Sequence, residues 1–401
     1  MRVALCDDFR EERWPSMDRV ASMLHDQLRQ HHAHSFQVDR VCPPFLRAAM
    51  RVPLAGTSRA AYNPDRFLNR FLRYPRHVDR IAPQYDLFHI VDHSYAHLAH
   101  ALPSARTIVT CHDLDAFRSV LAPAEERRSG AFRTMTADIL SGLQRAARVM
   151  CDTAAIRDEL AGRRLVASDR LVVAPLGVDQ VFLTAGDQAA GQAAARAVPM
   201  PDDAIEILHV GTTAERKRID VLLRVCAALS REFPQLRLTR VGDPLTAEQQ
   251  RLARESGIAD RLAVANDVDE STLAALYRRA ALVLQPSARE GFGLPVIEAL
   301  ASGTPVVASD LAVLREVGGA VVEYVPVGDV EVWRQKVAAL LQERRDAPLQ
   351  WRARRERGRE HARRFTWERY AAAVVQVYRD VAAGSGLETD TPIEERWPAR
   401  A

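Results

Sequence analysis

Two α/β domains, each a doubly wound parallel sheet wrapped by helices, are predicted for this 401-residue chain by three observations. Short apolar strands alternate with helices of roughly 10–15 residues, the pattern that forces parallel pairing through helical crossovers. The alternation runs twice, broken at 180–204 by an Ala-, Gln- and Gly-rich stretch with Pro199 and Pro201 at its far end, a linker composition. The chain is also too long for one ordinary core.

The first half opens with a strand at 3–6 and a helix over 17–29 that sets Val20, Met23, Leu24 and Leu28 on one face. A second strand follows at 36–41. Residues 43–80 are rich in Pro and Arg and give no clear assignment. Buried strands at 86–91 and 107–111 end in the polar pairs Asp92-His93 and His112-Asp113. Then come a helix over 132–146, a strand at 148–151, a short helix over 153–160 and a strand at 171–174. The last leads into Pro175-Leu-Gly-Val-Asp179.

The second half restarts with a strand at 205–210 and a helix over 219–231, with Ile219, Leu222, Leu223, Cys226 and Leu229 at helical spacing. Strands at 236–241 and 262–265 and a helix over 271–281 follow. The most informative stretch comes next: a buried strand at 281–284, the loop Glu290-Gly-Phe-Gly293, a helix opened by Pro295 and closed by Gly303, and a strand at 305–308. Proline at the start of a helix and glycine just past its end are the expected punctuation. Glu290 and Glu298 stand with seven residues between them, the first in the loop and the second expected in the first helical turn. In doubly wound sheets ligands bind beyond the carboxyl ends of the strands, so these loops carry the chemistry.

Composition narrows the class. Hydrophobic residues make up 47% of the chain, and 55 basic against 52 acidic residues leave a net charge of +3, which selects no partner by itself. Lys217 and Lys336 are the only lysines, so a lysine beside a glycine loop is a sharp signal here. The cysteines (Cys6, Cys42, Cys111, Cys151, Cys226) share no short spacing and suit buried thiols in a reducing compartment better than disulfides or zinc. The apolar run at 3–6 is too short for a signal peptide, and no run of about 18 apolar residues occurs, so a soluble cytoplasmic protein is expected.

Two loops fit phosphate. Glycines let backbone approach a ligand and a helix N-terminus favours anions, which describes Gly291, Phe292, Gly293 and Leu294. The second loop, His209-Val-Gly211-Thr212-Thr-Ala-Glu-Arg216-Lys217-Arg218, also follows a strand. Arg216 grips phosphate oxygens as a fork and Lys217 acts as a point charge. Neither the GxxxxGK[ST] spacing nor a GxGxxG after a strand is present.

Taken together these motifs resemble retaining family 4 glycosyltransferases (glycosyl transferases group 1) with the GT-B fold. The carriers are Glu290 through Ser309, the Gly211–Arg218 loop, Thr110-Cys-His112-Asp113, and the segment at 175–179. The helix after Arg364-Phe-Thr-Trp-Glu-Arg-Tyr370 is similar to the one that crosses back onto the first domain. The resemblance implies an N-terminal acceptor-side domain over 1–185, a linker over 186–204, and a nucleotide-sugar-binding domain over 205–365. A crossing helix over 366–383 and a disordered tail over 384–401 complete it, with an interdomain cleft between the domains.

It also implies roles. Glu298 would hold the ribose of a nucleotide diphosphate sugar, and Glu290 the hydroxyls of the transferred hexose. Arg216, Lys217, Gly211, Thr212 and the N–H groups around 292–294 would meet the diphosphate, and Val268 lies where the family holds the base. His112 would contact the donor sugar, or else cap its own turn; Asp113 would touch substrate or orient backbone. The donor is a co-substrate, and no cofactor or metal is required. The acceptor is a sugar, lipid-linked or other hydroxyl. Two departures stand out: many members of that family carry a Gly-Gly loop where this chain has Asp7 to Ser16, and many an arginine where it has Thr212. Arg10, Trp14 and Ser16 are therefore assigned to the acceptor side.

Other readings are weaker. Glycosidases also pair carboxylates, about 5 or about 7–9 Å apart, but would leave the phosphate-suited loops without a task. Asp113-Leu-Asp115 matches an Asp-x-Asp metal tripeptide, though its neighbours fit the histidine motif better. His31, His32 and His34 read as a solvated helix end. The arginines of 344–364 read as a solvated helical face, with docking at the inner face of an anionic membrane as the sharper alternative. Nucleic acid lacks the interleaved aromatics it would need. A catalytically silent nucleotide-sugar-binding or scaffold protein of the same fold is the rival from another class.

Overall fold

The computed structural model describes residues 1–51 and 59–386, so most of the expected tail lies outside the described residues. It divides into two compact units: 1–152, 156–174 and the chain from Trp367 form one, and 153–155 with 175–366 the other.

The first unit is built on six parallel strands: β1 (Arg2–Cys6), β2 (Gln37–Val41), β3 (Leu87–Ile90), β4 (Thr107–Cys111), β5 (Arg148–Cys151) and β6 (Leu171–Val173). Their order is β2-β1-β3-β4-β5-β6. Register sets Cys6 beside Ile90 and Cys111 beside Cys151. The residues just past these strand ends, Asp8, Asp92, His112 and Asp152, are thereby gathered at one edge of the sheet. The helix Trp367–Gly384 belongs to this unit: Tyr378 is fully buried and its hydroxyl lies 2.8 Å from His89 Nδ1.

The second unit repeats the plan with β7 (Ile205–Val210), β8 (Leu236–Val241), β9 (Leu262–Ala265), β10 (Leu282–Gln285), β11 (Val306–Ser309) and β12 (Glu323–Val325), all parallel. The order is β12-β11-β10-β7-β8-β9. The helix Ile219–Glu232 buries Ile219, Leu222, Leu223, Cys226 and Leu229, the face its spacing predicts. Both sheets are therefore doubly wound and parallel, as the alternation of strands and helices requires.

Three stretches differ from their composition. Residues 186–204 include a helix, Gln188–Ala197, capped by Asp187 and packed on the helix Glu270–Arg279 through the small side chains of Ala190 and Ala194. Residues 59–81 form consecutive helical segments despite Pro64 and Pro75. The chain widens to an i→i+5 turn over Leu68–Arg73, where buried Asn69 donates to the carbonyls of Leu46 and Asp65. The arginine-rich region divides between Val330–Asp346 and Pro348–Ala362. There Arg354 bridges Glu323 and Glu343 at 2.8 Å each, so part of that charge is spent inside the unit. Among the described residues no helix is long and apolar enough to cross a membrane.

Candidate active site

At the carboxyl end of β7 the backbone turns out of the sheet at Gly211, with φ +152°, a value side chains rarely adopt. A single tight turn, Glu215–Lys217, follows and closes on Arg218 at φ +49°. Asp220 grips the Arg218 guanidinium at 2.9 and 3.0 Å, which secures that conformation. The turn carries Lys217 inward, leaving it 7% exposed, while Thr212 stays at the surface.

The partner of Lys217 is Glu290. Lys217 Nζ donates to Glu290 Oε1 at 2.6 Å, Ser287 Oγ to the same oxygen at 2.7 Å, and Gln285 Nε2 at 2.5 Å. Arg216 Nη1 lies 3.4 Å from Oε2, and the Arg216 carbonyl accepts the Ala288 N–H at 2.7 Å, which joins the two loops. Burial alone would raise the Glu290 carboxyl, but the charges of Lys217 and then Arg216 outweigh it and bring it down to about 2. Glu290 is thus a fixed anion, and two cations face it.

Beyond Glu290 the loop passes through buried Phe292 to Gly293 at φ +98°, and the helix Leu294–Ala301 begins. A Cβ on Gly293 would stand 2.7 Å from Leu314 Cδ2. Gly293→Ala is therefore expected to cost roughly 1–3 kcal/mol, seen as a lower urea midpoint; an unchanged midpoint would refute the strain. Because the helix starts at Leu294, Glu298 lies in its second turn and not the first, and no acidic residue occupies the first turn. Its charge consequently does not sit over the helix N-terminus. Instead Glu298, 4% exposed, accepts the Tyr277 hydroxyl at 3.0 Å. Val268 is half-buried past the end of β9, following Asp267 at φ +51°.

In the first unit, His112 follows β4. Nδ1 lies 2.7 Å from Asp152 Oδ2 and Nε2 2.8 Å from the Val91 carbonyl. An ionised carboxylate and a carbonyl only accept, so the ring carries both protons. Burial would lower His112, but the Asp152 charge and hydrogen bond raise it to about 9. A sugar contact from this imidazole has to replace one of those bonds. Beside it Asp92 accepts from Ser94 N and Oγ at 2.8 and 2.7 Å. Burial and then the Asp92 charge push the Asp8 carboxyl well above the usual carboxylate range. Of the two, Asp8 lies in the 7–16 stretch where the family resemblance leads one to expect glycines.

Of the residues expected on the acceptor side, Arg10, Trp14 and Ser16 are all exposed, and the Trp14 carbonyl caps the helix Pro15–His31. Asp113 Oδ1 accepts the Asp115 N–H at 2.9 Å. Among the described residues no group of three or more His, Cys, Asp or Glu side chains is placed to hold a metal ion.

Sequence reasoning missed Gln285, Ser287, Tyr277, Asp152 and Asp8. Gln285 was readable in principle: a polar residue ending an apolar strand needs a buried partner. Asp152 was not, since its nearness to His112 depends on β4 and β5 being neighbours.

The profile described as Glycosyl transferases group 1 matches residues 192–364, and that of Glycosyltransferase Family 4 matches 20–181. A D-inositol 3-phosphate glycosyltransferase of Saccharomonospora viridis is 36% identical over 61% of this chain and 58% of its own length. One from Catenulispora acidiphila is 38% identical over 50% of this chain and 48% of its own length. These matches span roughly half of the relatives. The counterpart from Salinispora arenicola is 31% identical over 78% of this chain and 72% of its own. Among solved structures, sucrose-phosphate synthase from Thermosynechococcus elongatus superposes with a TM-score of 0.69 at 21% identity, covering 96% of this chain and 99% of that one. Anabaena HepE in complex with UDP and glucose gives 0.69 at 16% identity, covering 95% and 100%. With two profiles matched in order along two parallel sheets, and a relative aligned over most of its length, this chain belongs to the family 4 (group 1) glycosyltransferases and has their GT-B fold.

Proposed function

We propose that this chain transfers a hexose from a nucleotide diphosphate sugar to an acceptor hydroxyl, with retention of configuration. The observation that carries the reading is the set Lys217, Arg216 and Glu290, a buried lysine–carboxylate pair with a half-buried arginine beside it at adjoining strand ends. In the reaction, negative charge grows on the departing diphosphate. Lys217, Arg216 and the N–H groups at 292–294 are preorganised to meet it, and one such donor contributes roughly 3 kcal/mol to transition-state stabilisation. Glu290, kept ionised, accepts hydroxyls of the transferred sugar. Glu298 accepts the two ribose hydroxyls, with Tyr277 fixing its orientation.

His112 enters as a fixed positive charge in the first unit, with Asp113, Arg10, Trp14 and Ser16 on the acceptor side. Retention proceeds by same-face attack, the departing phosphate taking the acceptor proton, so no glutamyl intermediate forms. The relatives' name makes a phosphorylated inositol the first acceptor to try, and the HepE complexes make UDP the first nucleotide.

The test is thermal stability with UDP, GDP and ADP. A nucleotide at about 100 times its Kd stabilises the folded state by about 2.7 kcal/mol. One of the three is expected to raise Tm. Glu298→Ala is expected to weaken that binding by roughly 1.5–3 kcal/mol, since hydrogen bonds to a charged group are lost. No shift with any of the three would overturn the reading.

A further inference from the structure

Arg240 lies on β8, a strand no motif touches, and is fully buried. Among the described residues no carboxylate forms an ion pair with it. Its Nη2 donates to the Gly211 carbonyl at 2.6 Å, its Nη1 to the Asp243 carbonyl, and its Nε finds no partner. Burial lowers the guanidinium to about 10 against the opposing charge of Asp243, so it stays charged at neutral pH. A buried cation whose hydrogen bonds go only to carbonyls is costly unless further negative charge joins that of Asp243.

The Gly211 carbonyl reaches Arg240 because Gly242, at φ +131°, has no side chain. A Cβ there would stand 2.2 Å from the Gly211 oxygen. The 211–212 peptide is trans, and in a trans peptide the carbonyl and the following N–H point to opposite sides. With the Gly211 oxygen drawn into the core, the Thr212 N–H is turned outward, on the loop that carries Lys217. His209 and Lys217 flank the bare face of Gly211, with His209 Cε1 3.5 Å and Lys217 Cε 3.6 Å from where a Cβ would be.

We infer that Arg240 is a positioning residue for the donor's diphosphate: from beneath the loop it holds the Gly211 carbonyl inward, aims the Thr212 N–H at a phosphate oxygen, and adds a buried positive charge behind it. The inference rests on the donor reading above.

The experiment is calorimetric binding of UDP, GDP and ADP, and of the matching nucleosides, to the full chain and to Arg240→Met and Arg240→Lys. Folding is checked by circular dichroism. Arg240→Met is expected to weaken the preferred diphosphate at least tenfold and leave its nucleoside within twofold. Arg240→Lys keeps the charge but cannot span both carbonyls, so a loss of about threefold is expected. Equal loss for nucleoside and diphosphate would mean a merely structural role and overturn the inference, as would wild-type affinity in folded Arg240→Met. Should Arg240→Met not fold, wild-type diphosphate affinity in Arg240→Lys overturns it. Failure of the wild type to bind any diphosphate would instead overturn the donor reading, and this inference with it.

Discussion

Lys217→Met is expected to lower kcat/KM by roughly 10²–10³-fold, the loss typical of one preorganised donor to a developing oxyanion. Methionine fills the volume of the buried lysine stem, so the change removes charge more than packing. What remains around Glu290 is Arg216 at 3.4 Å, Gln285 and Ser287. Because the two residues act as a unit, Lys217→Met combined with Glu290→Gln is expected to cost little more than the worse single change. Steady-state kinetics on the four proteins measures this, and unchanged turnover in Lys217→Met would sink the assignment.

The same pair has a pH signature. The folded Glu290 carboxyl is depressed to about 2 from an ordinary 4.5, so its stabilisation is present above pH 4.5 and is lost as pH falls toward 2. Over that window Glu290→Gln should lose less stability on acidification than the wild type.

Asp152→Asn is expected to produce the second large effect, at the opposite end of the pH scale. His112 is raised to about 9 from an ordinary 6.5. A raised folded value gives stability that is full below pH 6.5 and disappears as pH rises through 9. Shifts of this size amount to roughly 3 kcal/mol. Asparagine accepts the same hydrogen bond without the charge, so the variant should be less stable at pH 6 and lose much less between pH 6.5 and 9. Urea midpoints across that range decide the matter. Parallel curves for wild type and Asp152→Asn would show that the charge of Asp152 does not hold His112 protonated.

Much of this was legible beforehand because it rests on local rules. Apolar runs of four to six residues, spaced by amphipathic helices, left parallel sheets as the plausible arrangement. The element Leu282–Gly303 announced itself through glycines, a proline and two glutamates whose conformational and charge preferences are intrinsic. Where local rules conflicted, reading failed. Pro64 and Pro75 masked helical segments that hold because Asn69 and Arg70 bury their polar groups against distant chain. The composition of 186–204 masked a helix whose alanines suit close packing on a neighbour.

By itself, then, the sequence determined two doubly wound units, the strand-end loops at Gly211 and Glu290, and the residue types able to meet a diphosphate. Only the tertiary structure decided which of those groups meet. Lys217 and Glu290 are far apart in the chain and become partners because β7 and β10 are neighbours. His112 is an imidazolium because β5 brings Asp152 alongside. Arg240, an unremarked strand residue in the sequence, lies beneath Gly211 because β8 runs next to β7 and Gly242 leaves the carbonyl room. Strand order converts separations of tens of residues into contacts of about 3 Å, and hydrogen-bond geometry tolerates little more than that.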